Sequence, residues 1–144
     1  MPMSADLIKA AATTLQDHRA RKATLDALPD DQKPETLEDG YAIQAELIEM
    51  RATEGATSIG YKIGATNAGA RELLGLPDMF WGVLLSTMTT ESPSAFPSKE
   101  LYIRVIEPEI ALRFGKPLDG LKKTITEEDV IDAVDAVLPA IEIV

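Results

Sequence analysis

The segment from residue 101 to residue 114, LYIRVIEPEIALRF, is the strongest strand signal in the sequence, and it carries acidic side chains among apolar ones. Alternate residues of a strand share a face, so Glu107 and Glu109 point the same way, about 6.6 Å apart along the backbone. Pro108 has no N–H to donate to a sheet ladder, which predicts an edge position or a bulge at that point. Any fold for this chain must therefore accommodate two neighbouring carboxylates on a largely apolar strand.

The last five residues, AIEIV (140–144), predict another strand, in which Glu142 lies among apolar side chains in the same way. Carboxylates in such surroundings are costly unless they are protonated, paired or bound to a metal, and three together repel one another without a cation. A site made only of oxygen ligands favours Mg²⁺ or Mn²⁺ over zinc or copper. A simpler interpretation stays open, in which Glu107 and Glu109 lie on the solvated face of an edge strand.

The first third of the chain has helical periodicity. Ser4 caps a helix that must end before Pro29, and Thr36 opens a second helix that ends near Gly55. A short strand follows at residues 58–64, and Asn67 then caps a brief helix. Helices followed by strands in this order predict an α+β fold, with an N-terminal helical region at residues 1–57 and a β-rich region at residues 58–144.

Residues 76–99 contain three prolines and a run of serine and threonine, and are expected to be mostly loop. Thr126 then opens a helix whose apolar positions recur as far as Leu138, where Pro139 is expected to stop it. The strand at 140–144 has no turn or polar tail after it, so we expect a continuation that is missing here.

Composition excludes several classes of protein. Asp and Glu number 24 against 14 Lys and Arg, giving a net charge of −10, and no basic patch could neutralise a nucleic-acid backbone. No uninterrupted apolar run reaches the length of roughly 18 residues that a membrane span needs. The absence of cysteine fits a reducing compartment. We therefore expect a cytoplasmic protein that binds neither nucleic acid nor membrane.

Lys62 lies in the middle of the predicted strand GYKIG. A partly buried lysine suits either proton transfer or the binding of a carboxylate, although a solvated lysine on a half-exposed strand fits the same pattern. Phe80 and Trp81 before Gly82 fit either a pocket wall or simple packing. His18, the only histidine, lies in a charged helical stretch and is expected at the surface. No nucleotide-binding, zinc-protease or serine-hydrolase motif is present.

Six segments, taken in order, resemble the 2-keto-4-pentenoate hydratase and oxalocrotonate decarboxylase branch of the fumarylacetoacetate hydrolase superfamily. They are GYAIQAELI (40–48), GYKIGATN (60–67), ELLGLPDMFWGVLL (72–85), IEPEIAL (106–112), ITEEDV (125–130) and LPAIEIV (138–144). The resemblance covers nearly the whole chain. It implies one domain overall, in which the N-terminal helices (1–57) pack on the first part of a catalytic, mixed β-roll of the fumarylacetoacetase C-terminal type (58–144), with the C-terminal portion of that roll absent.

The resemblance also implies a site. The metal ligands of the family fall on Glu107, Glu109 and Glu142, with Mg²⁺ or Mn²⁺ as the cofactor, and the strand lysine of the family falls on Lys62. Leu74 and Phe80 match positions of the loop near the substrate. Many hydratases of the family have an acidic residue where Phe80 stands, which leaves the exact reaction open.

The expected activity is that of a lyase, a hydratase of 2-hydroxypenta-2,4-dienoate-type 2-oxo acids in aromatic catabolism. A 4-oxalocrotonate-type decarboxylase, or a non-catalytic partner subunit in a mixed oligomer, remains as an alternative. The resemblance further implies a homo-oligomer acting on a small 2-oxo acid.

Overall fold

The computed structural model describes residues 2–101, 105–118 and 124–143, and these form an α+β fold as the sequence predicts. The helices are α1 (Ala5–Ala20), α2 (Leu37–Thr53), α3 (Ala68–Leu74) and α4 (Glu127–Ala133). The strands are β1 (Ser58–Gly64), β2 (Phe80–Leu85), β3 (Ile106–Phe114) and β4 (Val134–Ile143). Short 3-10 turns cover Asp30–Gln32, Ser86–Met88 and Ser98–Glu100.

The chain divides into two compact units, residues 1–95 and residues 96–144. Unit 1 holds α1, α2, α3 and the antiparallel pair β1–β2, whereas unit 2 holds α4 and the antiparallel pair β3–β4. The predicted boundary between residues 57 and 58 stays a prediction. None of the described helices is long and apolar enough to cross a membrane.

Local capping explains where the helices begin. Ser4 accepts a hydrogen bond from the Leu7 N–H at the start of α1, and Asn67 accepts one from the Ala70 N–H at the start of α3. Thr126 and Asp129 form the complete reciprocal capping box of α4. Each cap was predicted, because side-chain capping depends on residues only three positions apart.

Helix α2 is also fastened to the N-terminus of the chain through Asp39. Thr36 accepts a hydrogen bond from the Asp39 N–H at 3.1 Å, as expected of an N-cap. The carboxylate of Asp39 accepts hydrogen bonds from the Met3 N–H at 2.9 Å and from the Thr36 hydroxyl at 3.0 Å. The Met3 N–H, above all, lowers the pKa of Asp39, because hydrogen bonds to a carboxylate favour its ionised form.

The core of unit 1 lies between α1 and α2. Ala11 and Ala12 of α1 are fully buried against Ile43 of α2, since the small alanine side chains let the two helices approach closely. Partly buried apolar side chains complete this core: Met3, Ile8, Leu15, Leu28, Leu47 and Met50.

Two side chains of α2 close the outer edge of β2, the edge that does not pair with β1. Gln44 accepts a hydrogen bond from the Val83 N–H at 2.7 Å and donates one to the Trp81 carbonyl at 3.3 Å. The Tyr41 hydroxyl accepts a hydrogen bond from the Trp81 N–H at 3.4 Å, and the Tyr41 ring stacks on Trp81 with centroids 4.8 Å apart. The Gln44 amide thus takes the place of a neighbouring strand and fixes β2 against α2.

The β3–β4 hairpin separates two kinds of surface. One face is entirely apolar and consists of Ile106, Pro108, Ile110, Leu112, Val137, Pro139, Ile141 and Ile143. The opposite face carries the glutamates together with Ala111, Arg113, Ala136, Leu138 and Ala140. Side chains of the apolar face are well exposed, with Ile110 at 77% and Ile141 at 67%.

One helix prediction was wrong, and a stretch expected to be mostly loop contains a strand. The helix predicted to run to Leu138 ends at Ala133, and Pro139 lies inside β4. Pairing of the whole segment with β3 overrides its helical periodicity. Residues 80–85 form β2 in a stretch expected to be mostly loop, because β1 supplies a partner strand.

The strand expected from residue 101 begins at Ile106, and residues 102–104 of that prediction lie outside the described residues. Pro108 keeps its place in the ladder opposite Ile141, and the irregularity lies at Arg113 and Phe114 instead. In the described part of the chain β3 pairs only with β4, so Pro108 is in the edge position that was one of the two predicted alternatives.

Candidate metal centre and substrate face

The register of the β3–β4 hairpin brings three glutamates together in unit 2. Glu107 is paired directly with Glu142 across the hairpin, and Glu109 is two residues farther along β3 on the same face. One carboxylate oxygen from each residue lies within 4.8 Å of those of the other two. Glu107 is exposed, and Glu109 and Glu142 are partly buried. The expected convergence of the three side chains is therefore present.

The spacing of these oxygens fits a single hard cation. Oxygen ligands bind Mg²⁺ or Ca²⁺ at about 2.0–2.6 Å, so two oxygens on one ion lie at most about 4–5 Å apart. Carboxylate oxygens are the ligands that these ions prefer, whereas zinc and copper select nitrogen and sulfur. The donor set of Glu107, Glu109 and Glu142 could hold such an ion.

A basic residue on the same hairpin face is engaged elsewhere. Arg113 donates a hydrogen bond from Nε to the carboxylate of Asp135 at 2.7 Å. This bond raises the pKa of Arg113, because the carboxylate favours the charged guanidinium. The ion pair joins β3 to β4 at the end of β3 that is farther from Glu107.

Lys62 lies on a face of the β1–β2 sheet in unit 1. It is paired with Gly82, and the next same-face pair along the two strands is Gly64 with Phe80. Lys62 and Phe80 are therefore diagonal neighbours on one face, a separation of about 7–8 Å that long and aromatic side chains can bridge. The Lys62 side chain is partly buried, and Phe80 is 39% exposed.

Leu74 is the last residue of α3 in the same unit, and its side chain is 59% exposed. Gly75 ends the helix in the left-handed conformation, with φ 66°. Arg71 of α3 donates hydrogen bonds to the carbonyls of Ala65 and Thr66 at 2.9 and 3.1 Å, which ties α3 to the end of β1. Leu74 therefore belongs to a segment that is firmly joined to the strand of Lys62.

Several side chains that hold the β1–β2 sheet and its neighbouring segments in place were not singled out from the sequence. Tyr41 and Gln44, which fix β2, have the spacing of any two residues on one side of a helix. Arg71 likewise has no pattern that sets it apart from a surface arginine. Gly64 had a signal, since it bounds the strand motif, but its contact with Phe80 depends on a pairing that the sequence does not show.

Comparison with known proteins finds hydratases and a decarboxylase of similar sequence, although no protein-family model matches the chain. The chain is 35% identical to 2-oxo-hept-4-ene-1,7-dioate hydratase of Escherichia coli over 109 residues, which is 76% of this chain and 40% of the relative. It is 34% identical to 4-oxalocrotonate decarboxylase of a Pseudomonas species over 109 residues, 76% of this chain and 41% of that one. It is also 34% identical to 2-hydroxypent-2,4-dienoate hydratase of Pseudomonas putida over 110 residues, with shares of 76% and 49%.

The fold agrees with this likeness. The 4-oxalocrotonate decarboxylase of Pseudomonas putida G7, solved with magnesium and adipate, superposes with a TM-score of 0.86 over 97% of this chain and 52% of its own, at 23% identity. The chain is similar to the 2-keto-4-pentenoate hydratase and 4-oxalocrotonate decarboxylase branch of the fumarylacetoacetate hydrolase superfamily. It spans about 40–50% of the length of these curated relatives of the hydratase and decarboxylase branch.

Proposed function

We propose that the protein is a metal-dependent lyase that hydrates 2-hydroxypenta-2,4-dienoate-type acids to 4-hydroxy-2-oxo acids. The observation that carries the proposal is the convergence of Glu107, Glu109 and Glu142 on the face of one hairpin. The names of several relatives, which are hydratases of dienoates or of 2-keto-4-pentenoate, support the reaction class.

The three glutamates would hold a divalent cation, Mg²⁺ or Mn²⁺. Two structures of the neighbouring decarboxylase contain magnesium or calcium, which supports a hard cation of this kind. When bound, the cation would supply positive charge that favours the enolate form of a 2-oxo acid. The pairing of Glu107 with Glu142 across β3 and β4 would keep these two ligands at a fixed separation.

Lys62 would act on the substrate directly, and its ammonium group suits two roles. It either binds the substrate carboxylate or transfers a proton to the carbon chain during ketonisation of the dienol. Leu74 and Phe80 would provide apolar contacts for the rest of the substrate. A homo-oligomer in the cytoplasm is part of the same proposal, and the exposed apolar face of the β3–β4 hairpin supports association.

Turnover of the dienol tests the proposal. The full-length gene product with Mg²⁺ or Mn²⁺ should consume 2-hydroxypenta-2,4-dienoate, seen as loss of the conjugated dienol absorbance, and a chelator should abolish the reaction. Activity that survives complete removal of the metal would refute the role of the glutamates.

The two roles of Lys62 give different kinetics. If the amine transfers a proton, Lys62→Ala should lower kcat by roughly 10²–10⁴-fold. If it binds the carboxylate equally well in the ground and transition states, KM should rise while kcat stays nearly unchanged. Wild-type kinetics in Lys62→Ala would exclude both roles.

Decarboxylation of a 4-oxalocrotonate-type diacid is the second candidate, favoured by the decarboxylase among the relatives and by the fold comparison. The same glutamates would serve either reaction, since both need an enolate. Product analysis separates the two: a 4-hydroxy-2-oxo acid without gas identifies a hydratase, and CO₂ released from the diacid identifies a decarboxylase.

A further inference from the structure

The face of the β1–β2 sheet around Lys62 consists largely of glycine. On β1 the same-face neighbours of Lys62 are Gly60 and Gly64, and its partner on β2 is Gly82. Lys62 thus stands among three positions without side chains. Its diagonal neighbours on β2 are Phe80, which is paired with Gly64, and Leu84, which is paired with Gly60.

The ring of Phe80 lies across Gly64 and fills the space that a side chain there would need. A Cβ placed on Gly64 would be 2.7 Å from Cε2 and 2.8 Å from Cε1 of the Phe80 ring, and closer still to Cζ. Gly60, on the other side of Lys62, has no atom within 4 Å of its own Cβ position. Glycine is therefore needed at position 64 for the ring to occupy this place, whereas position 60 is open.

We infer that Phe80 determines substrate specificity, and that Gly64 is the positioning residue that seats its ring. The seated ring favours a monocarboxylic dienol with an apolar tail over a dienol that ends in a second carboxylate. This inference rests on the proposed function, in which Lys62 acts on the first carboxylate or the adjoining carbon chain.

The physical reason is the chemistry of the ring. Phe80 is 39% exposed, so it retains apolar surface for a ligand, and it lies within side-chain reach of Lys62. An alkyl tail gains by contact with this surface, whereas a carboxylate would have to lose water without gaining a hydrogen bond. The ring quadrupole makes the electrostatic potential at the ring face negative, which adds to the penalty for an anion.

The test compares kcat/KM for two substrates, 2-hydroxyhexa-2,4-dienoate and a 2-hydroxy-2,4-dienoate that ends in a second carboxylate, in the full-length protein with Mg²⁺. The ratio of the two values does not depend on the fraction of active protein, so partial misfolding of a variant does not distort it. We expect the wild type to prefer the monoacid, and Phe80→Ala to reduce that preference by roughly 10-fold, mainly through KM for the monoacid.

Gly64→Ala should reduce the preference in the same direction, because the new Cβ displaces the ring. In a Phe80→Ala background the Gly64→Ala change should have no further effect on the ratio, since no ring remains to be displaced. Gly60→Ala is the matched control on the same strand and face, and it should leave the ratio at the wild-type value.

Each other result overturns part of the inference. An unchanged ratio in Phe80→Ala, with an active wild type, removes the specificity role while the proposed function stands. An equal effect of Gly64→Ala with and without the ring, or an equal effect of Gly60→Ala, removes the seating role of Gly64. A wild type that turns over neither substrate in a metal-dependent way overturns the proposed function, and this inference with it.

Discussion

Replacement of Glu107 by glutamine should raise the stability of the metal-free protein and lower the extra stability that Mg²⁺ provides. The two effects have opposite signs because the same charge repels its neighbours when no cation is bound and attracts the cation when one is. A residue that merely lies on the solvated face of an edge strand would produce neither effect. The pair of measurements therefore distinguishes the metal-site interpretation from the simpler one.

The metal-free effect follows from the geometry of the cluster. Two unit charges at 4.8 Å repel by about 0.9 kcal/mol in a medium as polar as water. Glu107 takes part in two of the three pairs, so its neutralisation removes about 1.7 kcal/mol of repulsion before screening. Salt and rotation of the exposed Glu107 side chain reduce this, and we expect the free energy of unfolding to rise by about 1 kcal/mol.

The effect with metal is larger and has the opposite sign. A metal present at 100 times its Kd stabilises the folded protein by about 2.7 kcal/mol. Loss of an outer-shell partner alone weakens metal binding by about 10–100-fold, so loss of a charged ligand should reach at least the upper end of that range. At the same Mg²⁺ concentration, a 100-fold weaker site leaves about 0.4 kcal/mol, so about 2.3 kcal/mol of the metal-dependent stabilisation disappears.

Urea unfolding with EDTA and with Mg²⁺ measures both quantities, and calorimetry gives the metal affinity directly. Glu91→Gln is the control, because Glu91 is an exposed carboxylate outside the cluster. It should show the wild-type midpoint in EDTA and the wild-type shift with Mg²⁺. If Glu107→Gln behaves like this control in both conditions, the three glutamates do not form a metal site.

Three further perturbations test the fold around the site. Asp39→Asn should lower the stability at pH 7 and make the loss of stability in acid less steep. The pKa of Asp39 is lowered in the folded protein, so its ionised form stabilises the fold above the ordinary value of 3.8, and this stabilisation is lost as the pH falls through the folded pKa. Urea midpoints between about pH 2 and pH 7 measure this effect, and parallel curves for the two proteins would contradict it. Gln44→Ala should lower the free energy of unfolding by about 1 kcal/mol, because Val83 and Trp81 lose hydrogen-bond partners. Gln44→Glu keeps the acceptor for the Val83 N–H and should therefore lose less stability. Equal losses in the two variants would argue that Gln44 does not stabilise the edge of β2. Ile141→Lys should reduce self-association measured by light scattering, since Ile141 is 67% exposed on the apolar hairpin face; unchanged association would place the contact elsewhere.

Features that depend on nearby residues could be predicted from the sequence. The caps at Ser4, Asn67 and Thr126 were identified because a cap and the N–H it binds are three residues apart. Strand β1 was predicted with its observed bounds, since glycines and a short apolar run enclose it. These signals need no knowledge of the distant chain.

Elements that depend on a partner strand could not be predicted in the same way. The apolar residues between Val130 and Leu138 fit a helix, and the alternation of Val137, Pro139, Ile141 and Ile143 fits a strand. The pairing of Val134–Ile143 with β3 selects the second pattern over most of the segment and leaves α4 only its capped first turns. Strand β2 depends in the same way on β1 and on Gln44.

The candidate metal site was likewise predictable only in the part that depends on neighbouring residues. Alternation predicts that Glu107 and Glu109 share a face, but the position of Glu142 opposite Glu107 depends on the register of two strands that lie far apart in the sequence. A slip of one residue would place Glu142 opposite an apolar residue and on the wrong face. The glutamate cluster thus requires the same register that puts the eight apolar residues on the other face of the hairpin, so packing of that face also fixes the site.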